Sequence, residues 1–121
     1  MAFPWVITRS EDDVLLGMCE LRIKRRQVDL GYGLARPFWG YGYATETVQA
    51  LVDWALAQKE IRRVWAVCDV ENHASARVLE KVGMTSEGIL HRYLVHPNLS
   101  SEPRDCYCFA ILCCAALGWM D

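Results

Sequence analysis

Gly40 and Gly42 stand one residue apart in the run Ala35-Arg36-Pro37-Phe38-Trp39-Gly40-Tyr41-Gly42-Tyr43-Ala44-Thr45-Glu46. The run lies between an alternating strand pattern and an amphipathic helix pattern. Glycine has no Cβ, so two glycines at the mouth of a helix let the backbone come close to a ligand. The first N–H groups of that helix have no partner within it, and its dipole favours an anion in front of them. The chemistry suited to such a place is the holding of a phosphate or pyrophosphate. Taken alone, Gly-x-Gly is equally the mark of an ordinary strand-to-helix turn. A nucleotide-binding P-loop would also need Gly-Lys-Ser/Thr, which this run lacks. A second polar run follows after another strand pattern: Asn72, Ser75, Arg77 and Lys81. Asn72 is a natural helix N-cap, and Ser75, one turn on, can share its face. Arg77 and Lys81 are four residues apart and put two cations on one face.

The elements that must position these residues are legible as patterns. Strands are expected over 5–9, 14–24 and 28–35, with Lys24-Arg25-Arg26 as a solvated hairpin tip. Gly31 and Gly33 weaken the third strand and mark a bulge or a close backbone approach. Val48, Leu51, Val52 and Ala55 recur at helical spacing and predict a helix over 44–58. A buried strand is expected over 61–70. A helix follows over 72–82, capped by Asn72 and ended by Gly83. A strand over 84–95, a loop over 97–103 and an apolar strand over 105–117 complete the chain. The order is β-β-β-α-β-α-β-β, an α/β fold with a mixed, mostly antiparallel sheet and two helices. The stretch 28–70 has the length of a strand–helix–strand crossover. With no repeat, linker or low-complexity tract, 1–121 reads as a single domain.

Composition sets the class. The chain has 121 residues, 53% apolar and 23% charged, which is globular rather than disordered. Its net charge of −2 argues against nucleic acid as a partner, which normally meets a basic excess. No apolar run is long enough to span a bilayer, and no secretory leader is expected. Six cysteines, Cys19, Cys68, Cys106, Cys108, Cys113 and Cys114, lie mostly in apolar runs. They read as buried free thiols in a reducing cytoplasm, and no metal site is expected, because no second ligand pair has zinc spacing.

Two segments together carry a resemblance: Trp39-Gly40-Tyr41-Gly42-Tyr43-Ala44-Thr45-Glu46, and Glu71-Asn72-His73-Ala74-Ser75-Ala76-Arg77-Val78-Leu79-Glu80-Lys81-Val82-Gly83-Met84. Their wording and separation resemble the GCN5-related N-acetyltransferase (GNAT) family over roughly residues 3–116. The detail, with Glu87-Gly88 and the Arg104-Asp105 strand, is similar to its Rim-type branch, the ribosomal-protein N-terminal acetyltransferases and their relatives. There are two departures. Pro37 stands where the family often has Gln or Arg, with Arg36 one place earlier. The chain also enters the fold at the second strand, so the N-terminal strand and two helices that shape the acceptor site are expected to be absent.

The resemblance implies an acetyl-CoA donor and an amine acceptor. The backbone N–H groups of Trp39, Gly40, Tyr41, Gly42, Tyr43, Ala44 and Thr45 would hold the pyrophosphate, with the glycines leaving room for its oxygens. The strand end at Gly33, Leu34 and Ala35 would meet the thioester, where a free N–H polarises the carbonyl. Asn72 would meet the pantetheine arm or an ordered water, or serve only as a cap. Ser75 would donate to the departing thiolate; many relatives use a tyrosine at the place of Leu79. Arg77 and Lys81 would reach the 3′-phosphate, or stay solvated. The attacking amine must be neutral. At pH 7 that holds for roughly one α-amine in ten but about one lysine in 2,500, so an α-amine needs less help from a base. Asp29 and His91 are the candidate bases. The function expected is acetyl transfer from acetyl-CoA to a primary amine. The alternative is a non-catalytic CoA-binding or assembly module, owing to the short start. Trp5, Val6 and Ile7 would then form an exposed apolar edge strand, and a homodimer is expected to cover it.

Overall fold

The computed structural model describes residues 2–94 and 102–112. Strands β1 (Ala2–Thr8), β2 (Leu15–Lys24) and β3 (Gln27–Leu34) form an antiparallel meander. β1 starts earlier than the apolar pattern suggests. Pro4 lies inside it, which is tolerated because β1 is an edge strand and needs no ladder donor on its open side. A single 3₁₀ turn over Arg36–Phe38 then leads into helix α1 (Tyr43–Leu56). Strand β4 (Arg63–Asp69), helix α2 (His73–Lys81), strand β5 (Thr85–Leu94) and strand β6 (Arg104–Leu112) follow. The expected strand 105–117 is therefore seen as far as residue 112. Residues 113–117, with Cys113 and Cys114, and residues 95–101 lie outside the described residues.

The six strands lie in the order β1-β2-β3-β4-β6-β5. β3 and β4 are parallel, and every other described pair is antiparallel. β6 runs between β4 and β5, which makes β4 and β5 parallel to each other. Each is thus reached from the strand before it by a helical crossover, in the same direction across the sheet. Crossovers of one hand then put both helices on one face. The packing agrees: Val48, Val52 and Ala55 of α1 and Leu79 of α2 share one core with Leu21, Val28, Leu30, Val64, Ala66 and Phe109 of the sheet. Period-2 alternation explains the strand contributions, and helical periodicity explains Val48, Val52 and Ala55. A smaller core of Ile7, Leu16 and Cys19 lies under the 3₁₀ turn, packed by Phe38 and Tyr43.

The β2–β3 ladder keeps register from Gly17↔Leu34 to Lys24↔Gln27, so Gly31 and Gly33 do not mark a bulge. The close approach is on the partner strand. A Cβ on Gly17 would fall 2.0 Å from the Gly33 carbonyl oxygen. Cys19, Cys68, Cys106 and Cys108 are free and buried, the part expected of small hydrophobes. No helix among the described residues is long and apolar enough to cross a membrane.

α2 begins where Asn72 Oδ1 accepts from the Ser75 N–H at 3.1 Å. It ends at a left-handed Gly83, φ 95°. Asn72→Ala should lower stability by about 1 kcal/mol in urea denaturation, while Asn72→Asp should keep most of the cap. Equal loss in both variants would remove the capping explanation.

Candidate functional site

The loop before α1 is built on the two glycines, both in the left-handed region: φ 86° at Gly40 and 81° at Gly42. A Cβ at either would meet nothing within 4 Å. Backbone conformation, rather than a crowded neighbour within the chain, therefore explains both residues. Gly42 is the N-cap and offers no side chain to the helix. The first intrahelical bond is Glu46 N–H to the Gly42 carbonyl, 3.0 Å. The N–H groups of Tyr43, Ala44 and Thr45 have no carbonyl ahead of them within α1. The loop is fixed from behind: Trp39 Nε1 donates to the Leu34 carbonyl at 2.8 Å, and the Arg36 guanidinium lies over the Trp39 ring.

β3 and β4 pair only over Gln27↔Arg63, Val28↔Val64 and Asp29↔Trp65. Beyond Asp29 they part. The Ala35 N–H donates to the Leu16 carbonyl of β2, 2.8 Å away. By strand alternation the Gly33 N–H also faces β2, while those of Leu34 and Tyr32 face the parting. Of Gly33, Leu34 and Ala35, Leu34 is thus the one whose N–H is turned toward the parting.

Two cavities meet at the parting. One, of about 510 Å³, runs from the α1 mouth to α2. Gly33, Leu34, Trp39, Gly40, Gly42, Tyr43, Ala44, Thr45, Asn72, Ser75, Arg77 and Lys81 all line it. Ala35 and Tyr41 do not; Ala35 caps the 3₁₀ turn, and the Tyr41 ring packs on Tyr43 at the surface. The other cavity, of about 990 Å³, holds Asp29, Cys68 and Asp69 along the parted strands. Tyr32, Trp39, Asn72 and Ser75 line both.

Asp29 Oδ2 accepts from Arg22 Nε at 2.9 Å and pairs with its Nη2 at 2.8 Å, while Oδ1 is buried without a hydrogen-bond partner. Burial pushes the Asp29 carboxyl above its ordinary range, against the pull of Arg22. His91, on the far edge strand β5, lines neither cavity; its Nδ1 is 3.3 Å from Asp105 Oδ2. Leu79, at the place where a tyrosine is common in the resembling family, is fully buried in the core. The residue that the sequence reading missed is Tyr32. Its hydroxyl lies 2.7 Å from Ser75 Oγ. Burial foremost holds this phenol above its ordinary value; the Ser75 contact opposes it, and the Cys68 thiol adds a smaller upward push. The one available signal was its place two residues from Leu34 on the same strand face.

The turn from β4 into α2 is held by a buried acid. Asp69, 7% exposed, pairs through Oδ2 with Arg104 Nε of β6 and accepts from Arg104 Nη2 through Oδ1 at 3.1 Å. Asp69 Oδ1 also accepts from the Glu71 N–H at 2.9 Å, and its carbonyl accepts from the Asn72 N–H at 2.9 Å. Arg104 reaches on to Glu71 Oε2 at 2.7 Å. Charge-assisted bonds of this kind fix the start of α2, and with it Asn72 and Ser75.

The family model for the acetyltransferase (GNAT) domain matches residues 1–85. The p20 protein of Bacillus licheniformis, described as an uncharacterised N-acetyltransferase, is 30% identical over 106 residues, 85% of this chain and 58% of that protein. A GNAT-family acetyltransferase structure from Bacillus anthracis superposes with a TM-score of 0.79 at 27% identity, over 90% of this chain and 65% of that one. RimL, a ribosomal L7/L12 α-N-protein acetyltransferase solved in complex with coenzyme A, superposes at 0.81 with 24% identity, over 92% and 62%. The chain spans about half the length of the curated relatives it matches. The glycine loop, the crossover it opens and the whole of α2 lie inside the matched stretch, and the chain belongs to the GNAT acetyltransferase family.

Proposed function

We propose that this chain binds acetyl-CoA and transfers its acetyl group directly to a primary amine, either a protein N-terminal α-amine or a small-molecule amine. One observation carries the reading: the open N-terminus of α1 and the Ser75 hydroxyl line the same cavity, and that cavity reaches the parted strands. The N–H groups of Tyr43, Ala44 and Thr45 would meet the pyrophosphate, with Arg77 and Lys81 across the cavity for further phosphate charge. The Leu34 N–H would polarise the thioester carbonyl. Asn72 and Ser75 would lie beside the pantetheine end. Asp29 stands in the adjoining cavity and would take the amine proton through water; His91, paired away from it, is not assigned a role.

The Rim-type wording of the two motifs and the smaller cost of deprotonating an α-amine favour a protein N-terminus over a lysine. The buried free thiols fit a cytoplasmic setting. We also infer self-association through β1, an edge strand on which Trp5 is 42% and Val6 61% exposed. Ile7, expected on that surface, is instead buried in the smaller core.

Gly42→Val forces a branched residue into a left-handed conformation at the α1 mouth. Calorimetry should show acetyl-CoA binding by the wild type and at least a tenfold loss, about 1.4 kcal/mol, in the variant. Equal affinity would remove the phosphate assignment. Ser75→Ala should lower kcat and leave KM for acetyl-CoA nearly unchanged, and an unchanged kcat would take Ser75 out of the reaction. In sedimentation at micromolar concentration a dimer is expected, weakened by Val6→Lys; a stable wild-type monomer would end the β1 proposal.

A further inference from the structure

Among the described residues, Tyr32 is the one titratable side chain that lines both cavities. Its hydroxyl and Ser75 Oγ are 2.7 Å apart, and either can be the donor. The direction matters, because a serine hydroxyl has a single proton and two lone pairs. If Ser75 donates to Tyr32, it has nothing left to offer a ligand. If Tyr32 donates, the Ser75 proton turns to what else is in reach, the Cys68 sulfur, which is a weak acceptor, or a ligand in the cavity. A phenol, with an ordinary pKa of about 10, is a far better donor than an aliphatic alcohol, which does not titrate in water. The Ser75 N–H is already committed to Asn72 Oδ1, so its backbone cannot replace the hydroxyl.

We infer that Tyr32 is a positioning residue: it donates to Ser75 Oγ and so aims the Ser75 hydroxyl at the sulfur that departs from the acyl donor. The inference rests on the acetyl-CoA reading above and adds to it the group that sets the direction of Ser75. When the amine nitrogen bonds to the acetyl carbon, the carbon–sulfur bond breaks and its electron pair goes to sulfur. Ser75 then donates to that thiolate while accepting from Tyr32. Two hydroxyls in series polarise each other, so the thiolate meets a stronger donor than Ser75 alone. Neither hydroxyl loses its proton. The amine gives one up to water, and the thiolate takes one from water. Burial supports this arrangement, since it keeps the Tyr32 phenol protonated above its ordinary range. The titratable and charged groups that share the two cavities with the pair are the Cys68 thiol of β4, pushed up to about 11, Asp29 with Arg22, Asp69 and Glu71 on one side, and the cations Arg77 and Lys81 of α2 on the other.

The test is the acidity of the CoA thiol when bound, read from thiolate ultraviolet absorbance across a pH titration. The proteins are wild type, Tyr32→Phe, Ser75→Ala and the double variant, each saturated with CoA and checked by calorimetry. In the wild type the bound thiol should be about tenfold more acidic than in either single variant. The double variant should show no further loss, because the two hydroxyls act as one chain. CoA bound with equal thiol acidity by wild type and Tyr32→Phe would overturn the inference and leave the binding reading standing. No CoA binding by the wild type would remove the binding reading, and this inference with it. If Tyr32→Phe fails to fold, replacing Tyr32 by 3-fluorotyrosine keeps its shape and makes the phenol a stronger donor; the bound thiol should then become more acidic, and an unchanged thiol would overturn the inference.

Discussion

Everything at the site depends on the parting of two parallel strands after three paired residues. Each strand has a stronger attachment elsewhere. β3 is joined to β2 along its whole length, and β4 is joined to β6 from Arg63 to Asp69. Those ladders pull the two halves of the sheet apart, and the twist of each carries the separation further. Opening a sheet leaves backbone groups unpaired, which is costly unless something else meets them. The Trp39 indole meets one of them, the Leu34 carbonyl. The remainder, with Tyr32 and Ser75, faces a cavity instead of a neighbouring strand.

The second constraint is the position of α2 relative to that opening. Its N-terminus is not left to packing alone, since Asp69, Glu71 and Arg104 tie it to the first residue of β6. A buried ion pair is weak as a source of stability, because both charges lose water. Its geometric effect is larger: two-point contact between a planar guanidinium and a carboxylate leaves little freedom of rotation. Two helix N-termini thus flank the same space by different means. That of α1 is open because its cap is a glycine, and that of α2 is closed by Asn72.

Most of the fold was legible in the chain because local physics decided it. Helical spacing at Val48, Val52 and Ala55, the Asn72 cap and Gly83 fixed two helices to within two residues. The glycine loop was legible for the same reason, since a left-handed backbone demands a particular residue type. What escaped were relations between distant residues. Tyr32 and Ser75 are 43 residues apart, and nothing local to either announces the contact. His91 read as a candidate base from its chemistry alone, yet strand order puts it on the far edge. Ile7 and Val6 read alike as edge residues until the 3₁₀ turn was seen to cover one of them.

The place of β6 between β4 and β5 has a consequence for how the chain acquires its shape. β5 is bonded to β6 alone and β4 is held to β3 over only three residues, so the half of the sheet carrying α2 lacks most of its backbone pairing until residues 104–112 arrive. During synthesis β1, β2 and β3 can zip as local hairpins while the ribosome is still making the rest. β5 must wait for its one strand partner, and β4 until then has only its short pairing with β3. Contacts between Arg63 and Leu112 are among the most distant in sequence that the sheet contains, and closing such loops slows folding. The last described strand therefore acts as a kinetic keystone, and chains interrupted before it carry unpaired edges that invite aggregation.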